Sequence, residues 1–265
     1  MRLGLTLPSF VDDPEVPLAV ARAADAAGID GVFVYDHLWR DRPPPRRPAL
    51  ECLALLGAVA AETRRVAIGT LVARATLRPP AVLAHGFATA QRVSGGRLIA
   101  GIGSGDKESR QENEAFGLGF ATMATRIEAL HDAVRATRGR GYPVWVGGHA
   151  AQVREIVALA DAWNSWGRDA ERFAEEAALV HAIAPAAELT WGGLVVLAST
   201  DAEAQQKANA RNASKDVIVG SPDTVADALR AYRVAGAAWA VLGPLDSHDP
   251  QNAELIAQVA DALRE

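Results

Sequence analysis

Val32-Phe33-Val34-Tyr35-Asp36-His37 shows in six residues the architecture that the rest of the sequence repeats. Residues 32–35 are apolar or aromatic at successive positions and rich in β-branched side chains, so the strand they predict needs cover on both faces. Directly after it the chain turns polar, with a carboxylate and an imidazole side by side. A buried parallel strand that delivers titratable residues at its carboxyl end is the working unit of a βα barrel. Outward from this segment the same pattern recurs: a short apolar run, a polar or glycine-rich turn, then a longer helical period. It predicts strands at 2–7, 32–35, 66–72, 98–102, 143–147, 162–165, 190–197 and 238–242. Eight strands alternating with helices predict an α/β fold of the (β/α)8, or TIM-barrel, type, with an interior filled by side chains. The 265 residues suit one such domain, spanning 1–265, better than two smaller ones.

Helix signals agree with this plan. Ser221 and Pro222 predict the start of a helix over 222–236, with Val225, Leu229 and Tyr232 on its inner face. Asp249 and Pro250 do the same for the last helix, whose buried stripe is Leu255, Ile256, Val259 and Leu263. A helix over 79–93 begins at Pro79-Pro80 and stops at Ser94-Gly95-Gly96. Pro43-Pro44-Pro45 with Arg46 and Arg47 predicts a stiff surface loop at the rim of a pocket.

Composition narrows the function. The formal net charge is −5, so there is no basic field to draw nucleic acid or an anionic membrane. No stretch approaches the roughly 20 apolar residues of a membrane-spanning helix. Residues 1–7 read as a first strand rather than a signal segment, and a cytoplasmic location is the expectation. Cys52 is the sole cysteine, which excludes an intrachain disulfide and a cysteine-held metal; its apolar neighbours from Leu50 to Leu56 predict a buried core thiol. His85, His131, His181 and His248 show no metal-ligand spacing, and no metal is expected. No Gly-x-Ser-x-Gly elbow offers a nucleophile.

In a βα barrel the chemistry sits at the carboxyl ends of the strands. Read there, the chain presents Tyr35 to Trp39, Gly69 to Val72, Gly101 to Lys107, Gly147-Gly148-His149 and Asn164-Ser165-Trp166. Gly103-Ser104-Gly105 and Gly147-Gly148 either bring backbone N–H groups close to an anion such as a phosphate or simply make tight turns. Both readings stand at this point. The glycine spacing is not that of a Rossmann fingerprint. Asp36 supplies His37 with an adjacent carboxylate that can orient an imidazole for proton transfer, although solvated loops carry the same dipeptide. Asp106 is either a second acid or a helix N-cap. Glu108, Glu112 and Glu114 read as a solvated face around Asn113.

These segments, in this order, resemble the bacterial luciferase-like (LLM class) superfamily of flavin and deazaflavin oxidoreductases, and within it the coenzyme F420-dependent branch. The resemblance rests on residues 3–8, 26–37, 68–72, 77–80, 92–98, 101–106, 114–117, 143–148, 160–164 and 219–222. It implies F420, or alternatively FMN, lying in the barrel mouth with its phosphate at Ser104-Gly105 and Gly147-Gly148. A bulge in strand three would back the ring, with a non-proline cis peptide at Leu71-Val72. Asp36 and His37 would stand beside the ring, the histidine as base or orienting donor. Asp106 would take the place of a glutamate that acts as an acid in several relatives.

Three departures are visible. Asp106 is one methylene shorter than that glutamate. Trp39 does not match the spacing of the tryptophan found in sugar-phosphate and alcohol dehydrogenases of the branch. Arg138-Gly139-Arg140-Gly141-Tyr142 runs straight into strand five, where relatives carry a long insertion that often covers the substrate; this shortened insertion predicts a more open or differently lidded pocket. The function so implied is hydride transfer between F420 and a small-molecule substrate. An FMN-dependent monooxygenase and a noncatalytic flavin-binding protein are the alternatives, and a homodimer is a further expectation drawn from the relatives.

Overall fold

The computed structural model describes residues 1–40 and 47–264; the proline run expected to rim a pocket, residues 43–45, lies outside them. All eight expected strands are present, as Arg2–Thr6, Gly31–Val34, Ala67–Thr70, Leu98–Gly103, Val144–Gly147, Ala162–Trp166, Glu188–Leu197 and Ala237–Pro244. Each pairs in parallel with the next. The ring closes where the eighth strand lies beside the first, with Leu242 opposite Leu5. Helices Glu15–Ala27, Cys52–Glu62, Pro80–Val93, Met123–Thr137, Ala150–Val157, Ala170–Ile183, Pro222–Val234 and Gln251–Ala262 coat the outside. Two more, Ser109–Ala115 and Asp201–Ala210, sit in the connections after strands four and seven. No helix among the described residues is long and apolar enough to cross a membrane.

The expected helix signals are in place. Ser221 caps Pro222–Val234 through the N–H of Thr224. Asp249 accepts from the N–H of Gln251 at 3.0 Å, at the start of the last helix. Cys52 is buried at the head of its helix, where burial pushes the thiol well up; it is a core residue.

Two apolar layers hold the barrel. The outer one joins strands to helices through side chains such as Leu5, Val32, Ile68, Phe87, Val146 and Ile256. The inner one fills the barrel axis with Phe33, Trp145 and Trp239. Phe33 stacks on Trp145 with ring centroids 5.4 Å apart, and Trp239 meets both edge-on at 6.0 and 5.4 Å. Three large rings fit only because glycines face them. A Cβ on Gly4 or Gly69 would stand 2.8 Å from the Phe33 ring, and one on Gly31 3.0 Å from Trp239.

The third strand is shorter than the expected 66–72. It stops at Thr70, and the following Leu71–Val72 peptide is cis. The chain then resumes as a two-residue strand, Ala73–Arg74, paired with Ile102 and Gly103. Val72 is thereby set into the barrel mouth. A Cβ on Gly103 would lie 2.4 Å from its Cγ2, and one on Gly147 2.9 Å from its Cγ1. A Cβ on Gly101 would lie 2.1 Å from the Thr70 carbonyl oxygen. The glycines of strands four and five thus make room for strand three, a packing reason separate from any ligand.

Residues 138–143 join the helix Met123–Thr137 directly to strand five. This connection runs at the amino end of the strands, where Gly141 accepts from Gln91 at 3.0 Å. Its shortness therefore has no bearing on how the opposite, carboxyl end is covered.

Thermal unfolding tests the glycine argument. Gly101→Ala should destabilise by about 3 kcal/mol or more, because its new methyl meets backbone rather than a yielding side chain. Gly57→Ala, inside the helix Cys52–Glu62 with nothing within 4 Å, should stabilise by about 0.5–1 kcal/mol. Equal, small effects at the two sites would refute the packing account.

Candidate active site

The carboxyl ends of strands two to six open into a cleft of about 590 Å³. Its lining takes Asp36 and His37 from the end of strand two, and Leu71 and Val72 from the break in strand three. Ser104, Gly105 and Asp106 come from the turn after strand four, Gly147 and Gly148 from the end of strand five. The nine residues to which the resemblance gives a part in the cofactor site or the chemistry all line this one cleft.

Their roles within it are not all those the sequence suggested. His37 is held by Glu112 rather than by its neighbour Asp36: Nδ1 lies 2.8 Å from Glu112 Oε1. Glu112 is 2% exposed, not part of a solvated face. The helix Ser109–Ala115 turns Ser109, Glu112 and Asn113 inward and leaves Glu108 and Glu114 outside. Besides His37, the Glu112 carboxylate accepts from Leu38 N–H at 2.6 Å, Trp39 N–H at 3.3 Å and Arg74 Nη1 at 3.0 Å. Burial pushes this carboxyl up. The hydrogen bond and charge of His37, the Leu38 N–H and Arg74 outweigh it and hold the group below its ordinary value. An ionised Glu112 requires His37 to carry its proton on Nδ1, which leaves Nε2 as the ring atom free to exchange one.

Asp36 is a clamp. Its carboxylate takes Arg78 in a two-pronged pair at 2.7 and 3.1 Å and the backbone N–H of Arg74 at 2.8 Å. The end of strand two is thereby tied to the segment that follows the break in strand three. Asp106 is exposed, and its Oδ1 accepts from both the N–H and the hydroxyl of Ser109 at 2.8 Å. Of its two sequence readings, the helix-capping one has this geometry behind it.

The lining also holds Arg74, Lys107, Arg126 and Arg168, so an acidic chain presents a cationic cleft. Arg126 donates from Nη1 to the carbonyls of Gly105 at 2.9 Å and Asp106 at 3.3 Å, bracing the turn between them. The Nε of Arg126, and the Nε and Nη2 of Arg74, are buried without a hydrogen-bond partner. Gly105 and Gly148 have φ of +75° and +142°, backbone that side chains rarely adopt. An apolar wall at Leu71-Val72, a glycine turn and unsatisfied guanidinium N–H groups fit a flat ring with an anionic arm. Periodicity did not reveal Glu112 or Arg74, since hydrophobic patterning is silent about polar residues that face inward. The i, i+3, i+4 spacing of Ser109, Glu112 and Asn113 was the one available signal.

The family model described as luciferase-like monooxygenase matches residues 1–140. An F420-dependent glucose-6-phosphate dehydrogenase of Beutenbergia cavernae is 43% identical over 138 residues, covering 51% of this chain and 39% of that protein. Its counterpart in Nakamurella multipartita is 37% identical over 131 residues, covering 48% and 36%. The chain thus matches well under two thirds of the length of these relatives. Among solved structures, an F420-dependent secondary alcohol dehydrogenase in complex with an F420-acetone adduct matches with a TM-score of 0.78 at 16% identity, covering 100% of this chain and 99% of that one. Monooxygenase RslO1 from Streptomyces bottropensis matches with a TM-score of 0.80 at 19% identity, covering 100% of both chains. These likenesses speak for the fold.

Glu112→Gln should destabilise the protein by about 3 kcal/mol at neutral pH, because Arg74 loses its buried counter-charge. A carboxyl held below its ordinary value stabilises fully above that value and loses the contribution as pH falls through the folded-state value. Urea melts from pH 7 to pH 3 should therefore show the gap between wild type and variant closing in acid. A gap that stays constant would remove the ionised Glu112 from the account.

Proposed function

The chain belongs to the luciferase-like monooxygenase family, and from that premise we propose that it is an F420-dependent oxidoreductase acting on a small organic molecule. The observation that carries this reading is His37, fixed by a buried carboxylate at a cationic cleft with an apolar wall. The family match over residues 1–140 contains His37, Val72, Ser104 and Gly105, and the curated relatives quoted above are named for F420.

In this reading the deazaflavin, when bound, supplies a two-electron hydride carrier. Leu71 and Val72 back its ring. Ser104, Gly105, Gly147 and Gly148 offer backbone to its phosphate, and Arg126 and Arg168 supply positive charge on that side of the cleft. His37 handles the proton at Nε2, taking it from a substrate being oxidised or giving it to one being reduced, while Nδ1 stays tied to Glu112. Asp36 keeps the His37 backbone in place through Arg78 and Arg74. Asp106 acts through the helix that bears Glu112 rather than as an acid. The second reading, an FMN-dependent monooxygenase, draws on the name of the family model and uses the same cleft.

Fluorescence titration of the purified protein with F420 and, separately, FMN distinguishes the two. The proposal expects F420 to bind more tightly; preference for FMN moves the protein to the monooxygenase reading, and binding of neither overturns both. With a turning-over substrate in hand, His37→Ala should lower kcat by roughly 10²–10⁴ and leave F420 affinity nearly unchanged. An unchanged rate would take His37 out of the mechanism.

A further inference from the structure

The residues given to the cofactor above come from strands three, four and five: Leu71 and Val72, Ser104 and Gly105, Gly147 and Gly148. The cations of the cleft belong to the same arc of the barrel. Arg74, Lys107 and Arg126 follow strands three and four, and Arg168 reaches back to His149, after strand five, at 2.5 Å. The other arc runs from strand six through seven, eight and one to strand two, and it is built differently.

Ala162 belongs to the inner layer of the barrel, and two-residue alternation puts Trp166 on the same inward face of strand six. Trp166 lines the cleft and is 39% exposed. Its ring lies against Gly192 of strand seven, where a Cβ would stand 2.5 Å from Cε3. Two residues on, Leu194 is 38% exposed. A Cβ on Gly243 of strand eight would meet Leu194 Cδ2 and Trp166 Cη2 at 3.3 Å each, so these two side chains converge at the mouth. Tyr35, just past strand two, meets Trp166 edge-on with ring centroids 6.1 Å apart. Phe10, after strand one, stacks on Tyr35 at 6.3 Å and stands 5.5 Å from the His37 ring. A row of rings thus leads from the imidazole across the mouth to strand six.

Large apolar side chains left open in a concave site, with glycines making room for them, are the makings of a ligand pocket. We propose that this flank holds the substrate, and that the substrate is a flat, uncharged aromatic or conjugated cyclic molecule. Such a ring stacks on Trp166 and Tyr35, and its reacting group comes to the end of the row, at His37. A phosphorylated or heavily hydroxylated substrate would set its polar groups against Trp166 and Leu194, where they lose water and gain no partner. Trp166 and Leu194 lie beyond the residues, 1–140, that the family model matches, so that match does not speak for this flank. The proposal rests on the reading of the cleft as an F420-dependent redox site, since the cofactor on strands three to five is what leaves this arc to the substrate.

Calorimetry with 2-acetylnaphthalene tests it, with and without F420, for wild type, Trp166→Phe and Trp166→Leu. The saturated counterpart, 2-acetyldecalin, and glucose-6-phosphate serve as comparisons. Wild type should bind the naphthyl ketone roughly fivefold more tightly than the decalin ketone, and glucose-6-phosphate more weakly than either. Trp166→Phe keeps a ring and should keep that preference; Trp166→Leu should abolish it, with a loss of roughly fivefold for the flat ketone. F420 affinity should stay within about threefold of wild type in both variants. An undiminished preference in Trp166→Leu, or tighter binding of glucose-6-phosphate by wild type, overturns the proposal. So does a loss of F420 affinity of roughly tenfold in Trp166→Leu, which would assign the indole to the cofactor. If F420 fails to bind wild type while the preference still follows the ring at position 166, the redox reading falls and the flank stands.

Discussion

The mouth of the barrel is organised around one steric fact: Val72 occupies space that strands four and five must vacate. The chain leaves strand three after Thr70, turns through the Leu71–Val72 peptide and re-enters the sheet at Ala73. Val72 then stands against Gly103 and Gly147, and the Thr70 carbonyl against Gly101, at distances that no side chain at those positions tolerates. The same arrangement that puts an apolar side chain into the cleft strips side chains from the strands facing it. A flat wall and an open floor are two results of a single packing decision. Below it, the alternation of aromatic rings with Gly4, Gly31 and Gly69 repeats the principle along the barrel axis.

On this frame the polar groups are arranged by pairing. Two buried carboxylates, Asp36 and Glu112, face two arginines from the segment after strand three, Arg78 and Arg74. Asp36 binds backbone and Arg78, so its work is to hold loops together. Glu112 also gathers the backbone of Leu38 and Trp39, so it positions the segment that carries His37 as well as the imidazole itself. Buried ion pairs add little net stability compared with apolar packing, but losing one partner is expensive. The network therefore enforces geometry: the imidazole is fixed in one tautomer and one orientation before any ligand arrives.

The barrel was legible because its signals are local and repeated. Val32-Phe33-Val34 announces a strand covered on both faces, and Ser221-Pro222 announces a helix start, without help from distant residues. The cleft was legible as a set of strand ends, and His37, Val72, Gly105 and Gly147 do converge there. The partnerships were not legible. Asp36 adjoins His37 in sequence, yet the direction of each side chain after a strand end depends on what the rest of the chain offers. Arg78 and Arg74 drew Asp36 one way, and Glu112, 75 residues on, took the imidazole. Glu112 looked solvated because a short polar helix has no apolar stripe to mark its inner face. Gly147 looked like a place for a ligand, and the methyl groups of Val72 supply an additional reason for it that no reading of neighbours could reveal.

Asp106 carries a consequence for anyone mapping this protein by mutation. It sits at the surface, and its bond to Ser109 fixes the start of the helix whose next turn delivers Glu112. A substitution at position 106 would loosen that helix, shift Glu112 and leave His37 without its anchor, so activity would fall. The phenotype would be that of a lost catalytic acid. Position 106 would then score in any screen that reads turnover alone through the helix start that its carboxylate holds, a route separate from any proton it carries.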